Sequence, residues 1–400
     1  MRQPPGYEVK GFEHLVCELL KSIYGVKQAS LIWNELLDSE LKEIGFKRLE
    51  SEPCVYRLYR PESGIEILLS IYVDDGLLTG TPHSEIEKTK QLLKSRFRMK
   101  DQGLARYLLG IKINQSPCGR FIELSQRQYI IDVLKRFGFE NATSCHTPMD
   151  VNFPSLAITH VSAGDADKSK YPYQAAVGCF TYAMIGTCAE LALATSVLGQ
   201  YATTYTEFHW KGASRVFRYL QYRKDFVLCF DGDATPARPL GYSDADWAGD
   251  LATRRSTTGY CFLLSGAAIC WKSRKQQTVA ASTTEAEYMS LGDATKEALW
   301  LWSLLIGLGT INDDFPIPIL VDNQGAIHLA KNPLISNRSK HIDIRHHFVR
   351  EKIVSKLISL QFCPTDNMVA DIFTKPLDRI KFSRFTHALG IRETTQSSGG

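Results

Sequence analysis

The stretch "IEILLSIYVDDGLLTG", residues 65–80, constrains the fold of this chain more than any other. Ile67, Leu68 and Leu69 lead into two adjacent carboxylates, Asp74 and Asp75, and Leu77 and Leu78 follow. Short apolar runs on either side of a turn-forming pair read as the two strands of a hairpin. The acids then stand at its tip. Asp is common in turns, so a plain polar turn explains an isolated pair. Charges are seldom placed against apolar surface without a partner, however, and these two sit between apolar strands.

The neighbouring segments give a mixed pattern. Ile32, Leu36, Leu37 and Leu41 share one helical face. "SEIEKTKQLLKSRF" predicts an amphipathic helix with Ser84 as its N-cap. "RYLLGIKINQSPCGRFIELSQ" predicts two strands around a Pro-Cys-Gly turn, and "RQYIIDVLKRFGF" another helix. Residues 142–170, broken by Pro148, Pro154 and Gly164, read as a linker. From Tyr171 to Leu220 the apolar periodicity is helical. Gly232, Pro236 and Pro239 mark a boundary, after which strands and helices alternate as in a mixed α/β domain. A length of 400 residues exceeds one hydrophobic core. The expected organisation is therefore multidomain, α+β then α/β. Its segments are residues 1–146, a linker and helical connection over 147–235, a mixed-sheet domain over 236–391, and a disordered tail over 392–400.

Composition narrows the function classes. A net charge of +4 permits a polyanionic partner without requiring one. The ten cysteines form no CxxC pair, which argues against a zinc knuckle and for free thiols in a reducing compartment. "MRQPPGYEVKG" has no apolar core of a signal peptide, and no apolar run is long enough to span a bilayer. The expectation is an intracellular protein, cytoplasmic or nuclear, with no membrane partner.

The C-terminal segment carries more acids in suggestive places. "YSDADW" puts Asp244 and Asp246 at i and i+2 of a strand, on one face, so the pattern does not choose between them. In "STTEAEYMSL", Ser282 and Glu285 fit a capping box, which leaves Glu287 free. "ILVDNQGA" ends an apolar strand in Asp322, where α/β sheets place ligands. "TDNMVADIFTKP" puts Asp371 on a helix among Met368, Val369, Ile372 and Phe373. Taken singly, each has an ordinary alternative: a solvated strand end, a helix N-cap, a surface acid. Basic residues lie nearby in sequence: Arg254, Arg255, Lys272, Arg274 and Lys275, then a run from Lys340 to Lys352. Trp247 and Trp271 read as core residues rather than base-stacking groups, and His346 and His347 lack the spaced partners of a metal site.

Several phrases together resemble a known family. "YVDD" between apolar strands resembles the palm motif of reverse transcriptases. "VCELLKSIYGVKQASLIWN", "RFRMKDQGLARYLLGIKI" and "MRQPPGYE" resemble the Pol polyproteins of copia-type retrotransposons. "GYSDADWAGDLATRRSTTGYCF", "STTEAEYMSL", "VDNQGAIHLAKNP" and "KHIDIRHHFVREKI" resemble the ribonuclease H domain of the same family. The resemblance covers nearly the whole chain. It implies a partial reverse-transcriptase palm and thumb over 1–146, a connection, and a ribonuclease-H-like domain over 236–391. It further implies that Asp74 and Asp75 are metal ligands and that Lys27 and Gln28 contact nucleotide or template. Leu108–Gly110 would fall in the primer-grip region.

By the same resemblance Asp244, Glu287, Asp322 and Asp371 would hold two Mg²⁺ (or Mn²⁺) ions for cleavage of the RNA strand of an RNA/DNA hybrid, whose 2′-OH marks it. The basic residues Arg254, Arg255, Lys272, Arg274 and Lys275 would contact nucleic acid. The family places a third polymerase Asp upstream of the text "MRQPPGYE", so no polymerisation is expected of this chain by itself. At Leu31 and Ile32 the family usually has an arginine and a polar residue, and at "TCAE", 187–190, it has "TRPD". The alternative is an inactive nucleic-acid-binding remnant of a decayed element. An integrase reading fits less well, because it calls for a final Glu and a zinc module.

Overall fold

The computed structural model describes residues 1–23, 25–160, 170–233, 238–332 and 340–394. Side chains are described for the last of these segments from residue 347 onward. The chain forms two compact units, Met1–Gly103 and Leu104–Gly400. Residues 104–146, grouped above with the first segment, thus pack within the second unit.

In the first unit, helix α1 (Ala29–Ile44) and helix α2 (His83–Arg96) accompany a four-stranded antiparallel sheet. Its order is β1 (Lys47–Arg48), β2 (Val55–Arg60), β3 (Ile65–Tyr72), β4 (Asp75–Thr81). Alternation along β3 sends Ile65, Ile67 and Leu69 inward against Leu37, Leu41 and Phe46. Gly45 closes α1 in the left-handed conformation, and its N–H bonds back to Leu41 and Lys42. Only half of the apolar face expected of α1 is covered: Leu37 and Leu41 are buried, while Ile32 and Leu36 are each 49% exposed. Pro82, not Ser84, occupies the N-cap of α2. Its fixed φ suits a helix entry, and Ser84 lies inside the first turn.

The second unit contains two five-stranded sheets. One is antiparallel and runs β14 (Ile391–Glu393), β8 (Phe226–Asp231), β7 (Phe121–Ser125), β6 (Ile111–Gln115), β5 (Tyr107–Leu108). The β6–β7 hairpin is the one expected around the Pro-Cys-Gly turn. Arg392 and Glu393, assigned above to a disordered tail, instead pair with Val227 and Phe226; the residues beyond 394 lie outside the described set.

Helices α3 (Arg127–Phe137), α4 (Phe153–Ala157), α5 (Tyr173–Gly186), α6 (Ala192–Gly199) and α7 (Glu207–Arg223) build an aromatic-rich core with this sheet. The linker reading of 142–170 misses α4. Pro154 sits in its first turn, where proline is tolerated, and Phe153 and Ala157 are buried.

The other sheet is mixed, in the order β11 (Ala267–Lys275), β10 (Thr257–Leu264), β9 (Leu240–Ala245), β12 (Ile317–Val321), β13 (Ile358–Phe362). Strands β9, β12 and β13 run parallel, and the other pairings are antiparallel. Helix α8 (Thr283–Gly307) packs on β9 and β10, with α9 (Gln324–Lys331) and α10 (Lys340–Val354) beside it. Helix α11 (Arg379–Ala388) leads into β14.

Candidate active site

Adjacent parallel strands bring distant residues together at their carboxyl ends. Leu320 of β12 pairs with Tyr242 of β9. Two residues further on, the same register sets Asp322 beside Asp244. Glu287 comes from the second turn of α8, which Ser290 fastens to the sheet: its Oγ donates to Asp244 O at 2.7 Å, and Ser243 Oγ donates to it at 3.1 Å. Residues three apart share a helix face, so Glu287 points where Ser290 does. The outcome is a cluster in which one carboxylate oxygen each from Asp244, Glu287 and Asp322 lies within 4.8 Å of the others.

The ordinary roles offered for these acids are filled by neighbours. Asn323 is the N-cap of α9, accepting from Ala326 N, so Asp322 is not needed there. The capping box appears in modified form: Ser282 Oγ accepts from Glu285 N, and Glu285 accepts from Ala281 N at 2.7 Å. Asp246 lies just past β9 and accepts from Thr257 N, which gives it a loop-closing job. That separates the two acids of "YSDADW", which the strand pattern alone leaves equivalent.

The electrostatics suit a cation. Asp244 is 1% exposed, and burial pushes its carboxyl up to about 7 against the pull of Lys375. Burial, with Asp244 and Asp322 alongside, pushes Glu287 up to about 10. Glu287 Oε2 is buried and has no hydrogen-bond partner. Three crowded carboxylates with an orphaned buried oxygen are what a hard, oxygen-preferring ion such as Mg²⁺ or Mn²⁺ neutralises. The donor set therefore fits a divalent cation.

Asp371 stands apart from this group. It lies in a 3₁₀ segment, Val369–Phe373, rather than the expected α-helix. Lys375 Nζ is 2.8 Å from one of its oxygens and Lys381 Nζ 2.7 Å from the other. Thr374 Oγ1 donates to Asp244 Oδ2, and Thr365 Oγ1 donates to Asp322 Oδ2 at 2.8 Å. Sequence reasoning missed these four side chains. Only Lys375, one helical turn past Asp371, left a spacing signal.

Of the basic residues, Lys275 is paired with Asp250, and Lys272 lies 5.8 Å from the centroid of the Tyr260 ring. Arg254, Arg255 and Arg274 are exposed. Side chains 340–346 of the second basic run, His346 among them, lie outside the described set. Trp271 packs against the core with its Nε1 on Met184 O, as expected. Trp247 does not: it is 53% exposed, with Nε1 donating to Ala280 O. A bulky ring on a surface loop finds too few neighbours to bury it.

In the first unit, β3 and β4 form the predicted hairpin, with Tyr72 pairing Asp75 across the turn. Val73 occupies the left-handed region at φ 57°, unusual for a β-branched residue. Its carbonyl accepts from Trp33 Nε1 at 3.1 Å, which ties the tip to α1. Asp74 and Asp75 are exposed, as are Lys27 and Gln28 just ahead of α1. No third His, Cys, Asp or Glu joins Asp74 and Asp75 in a metal-sized group among the described residues.

Comparison with known proteins finds reverse-transcriptase-bearing polyproteins among the relatives of this sequence. Residues 1–151 match the model of the reverse transcriptase (RNA-dependent DNA polymerase) family. The chain is 38% identical over 394 residues to the retrovirus-related Pol polyprotein from transposon TNT 1-94 of Nicotiana tabacum, covering 98% of this chain and 29% of that protein. It is 32% identical over 299 residues to a transposon Ty5-1 protein of Saccharomyces cerevisiae, covering 74% of this chain and 94% of that one. A foamy viral protease-reverse transcriptase, solved in complex with double-stranded DNA, aligns over 84% of this chain and 49% of its own at a TM-score of 0.45 and 14% identity. The chain belongs to the copia-type retrotransposon Pol family. It spans less than a third of the length of the Nicotiana polyprotein that it matches.

Proposed function

We propose that the mixed-sheet domain within the second unit, residues 236–391, is a ribonuclease H that cuts the RNA strand of RNA/DNA hybrids with Mg²⁺ or Mn²⁺. One observation carries the reading: acids from three separate elements meet within 4.8 Å, and Glu287 presents a buried oxygen with no partner. Asp244, Glu287 and Asp322 would hold the metal, with Asp371 bordering a second position. Bound metal would supply Lewis-acid activation of water and stabilisation of the leaving 3′-oxygen. The chain's own residues do the positioning. Ser290 fixes Asp244 against α8, Thr365 orients Asp322, and Thr374 orients Asp244. Arg254, Arg255, Lys272 and Arg274 would meet the phosphates of the hybrid, which makes binding salt-dependent. The segments 1–146, 147–235 and 236–391 correspond in this reading to palm and thumb, connection and ribonuclease H.

Asp74 and Asp75 stand at the tip of the β3–β4 hairpin, where this reading would place a polymerase motif. Two exposed acids with no third among the described residues do not fix a two-ion geometry, and small positional errors cost about 100-fold in rate. We therefore assign no polymerisation to this chain alone.

The test is cleavage of a labelled RNA/DNA hybrid by the purified chain with Mg²⁺ or Mn²⁺, beside Asp322→Asn, with primer extension on the same preparation. Cleavage that vanishes in Asp322→Asn, without extension, supports the reading. A folded sample that binds hybrid without cutting it identifies an inactive remnant. Primer extension refutes the assignment made for Asp74 and Asp75.

A further inference from the structure

Asp371 is fully buried, yet each of its oxygens faces an ammonium. Lys375 Nζ lies 2.8 Å from Asp371 Oδ1 and 3.9 Å from Asp244 Oδ2, so it stands between two carboxylates of different elements. This is the position that a second cation shared by Asp244 and Asp371 would have to take. Lys381 differs: its Nζ contacts Asp371 Oδ2 at 2.7 Å, and it has no ion pair with Asp244. Lys381 is also held in place by the N-cap of α11, where Asp378 Oδ1 accepts from Lys381 N at 3.1 Å.

The hold on Lys375 is of a releasable kind. Lys375 meets Asp371 through a single 2.8 Å contact to Oδ1. The Lys375 side chain is 41% exposed, which gives the ammonium a way out to solvent. Two cations about 4 Å apart repel strongly where water is scarce. A second divalent ion and the Lys375 ammonium therefore exclude one another.

Resting on the reading of Asp244, Glu287 and Asp322 as a cation site, we propose that Lys375 is a built-in cation filling the second metal position. One divalent ion binds the three-acid cluster directly. A second enters only by displacing Lys375 from between Asp371 and Asp244. Lys375 thus sets the metal concentration at which the site becomes fully loaded.

The experiment is Mn²⁺ titration of the full chain followed by electron paramagnetic resonance. The unaltered protein should bind one ion tightly and a second at least about tenfold more weakly. In Lys375→Met the second site should tighten by about tenfold or more, and in Lys375→Arg, which keeps the charge, it should not. Lys381→Met should leave the gap between the two sites in place. Nitrogen-15 lysine resonances of the unaltered protein, followed in a parallel titration with diamagnetic Mg²⁺, give a readout that does not depend on a variant folding. The Lys375 Nζ signal should move with the second ion and not with the first. Two equal sites in the unaltered protein, or identical titrations of the unaltered protein and a folded Lys375→Met, overturn the proposal while leaving the cation site intact. No Mn²⁺ binding at all removes the cation site itself, and this proposal with it.

Discussion

The most exacting prediction concerns a buried ion pair away from the acid cluster. Arg223 of α7 and Glu190 are both inaccessible to solvent, and Arg223 Nε donates to Glu190 Oε1 at 2.6 Å. Tyr219 OH donates to the same oxygen at 3.1 Å, and Arg223 Nη2 donates to Thr187 O. Two atoms remain unsatisfied, Arg223 Nη1 and Glu190 Oε2. Glu190→Met removes the counter-charge and leaves a guanidinium in a dry core. Breaking a buried pair in this way costs about 3–5 kcal/mol. At about 2–4 °C per kcal/mol, the melting temperature should fall on the order of 10 °C. Arg223→Met should do comparable harm. The double substitution should cost far less than the sum, because apolar residues of similar volume replace an incompletely satisfied pair. Urea unfolding of all four proteins, followed by tryptophan fluorescence, measures the cycle. Single losses below about 1 kcal/mol, or a double loss equal to the sum of the singles, would refute the reasoning.

Other consequences follow from single contacts. A Cβ at Gly259 would stand 2.5 Å from Thr374 Cγ2 and 2.8 Å from Phe373 Cβ, so Gly259→Ala should cost about 1–3 kcal/mol in denaturant unfolding and displace the Asp371 segment. Thr365→Val strips Asp322 of its hydroxyl donor and should weaken Mn²⁺ binding about 10-fold or more in the same titration. Trp33→Phe loses the bond to Val73 O and should destabilise the first unit by about 0.5–1.5 kcal/mol, read as increased amide exchange in the β3–β4 hairpin. His209 is buried, its Nδ1 accepts from Thr206 N at 3.0 Å, and its Nε2 faces Ala157 O, so burial holds its pKa below the ordinary 6.5. A lowered folded pKa means that the unfolded chain binds more protons below 6.5. Stability should therefore be present above that pH and fall as the pH drops below it. The slope should flatten in His209→Gln, as judged by urea midpoints between about pH 5.5 and 7.5.

Period and turn chemistry made much of the fold legible. The β3–β4 hairpin, the amphipathic helices α2 and α3, the long helix α8 and the buried strand β12 all carry a local signature, and all are present. What escaped is what local pattern does not encode. Helix α4 is too short for a period to register, and it exists because Phe153 has a core to enter. Strand β14 has three residues and no turn signal. It forms where β8, distant in sequence, offers an edge to pair with. The uncovered half of α1 likewise shows the difference between sharing a face and having something to pack against. Periodicity gave the face of Ile32 and Leu36, and the structure leaves both half exposed.

The acid cluster divides along the same line. Asp244 and Asp246 were inseparable as i and i+2 on one strand. Hydrogen bonding parts them, since Asp246 closes its own loop through Thr257 while Asp244 meets acids from 43 and 78 residues away. Departures from the family's usual text acquire physical content in the same way. At 187–190 the chain has "TCAE", and Glu190 is the residue that neutralises Arg223. A carboxylate is therefore needed at that position for a reason of stability, whatever the chain's activity. Cys188, where an arginine is usual, is fully buried, and burial pushes its thiol up to about 12. An arginine there would add a second guanidinium beside Arg223, with a single carboxylate to share. Intact stability and intact chemistry are thus separable in this chain. The Glu190 cycle reports on the first and the Mn²⁺ titration on the second. A protein that passes the first and fails the second would be a sound scaffold whose acids no longer meet a metal.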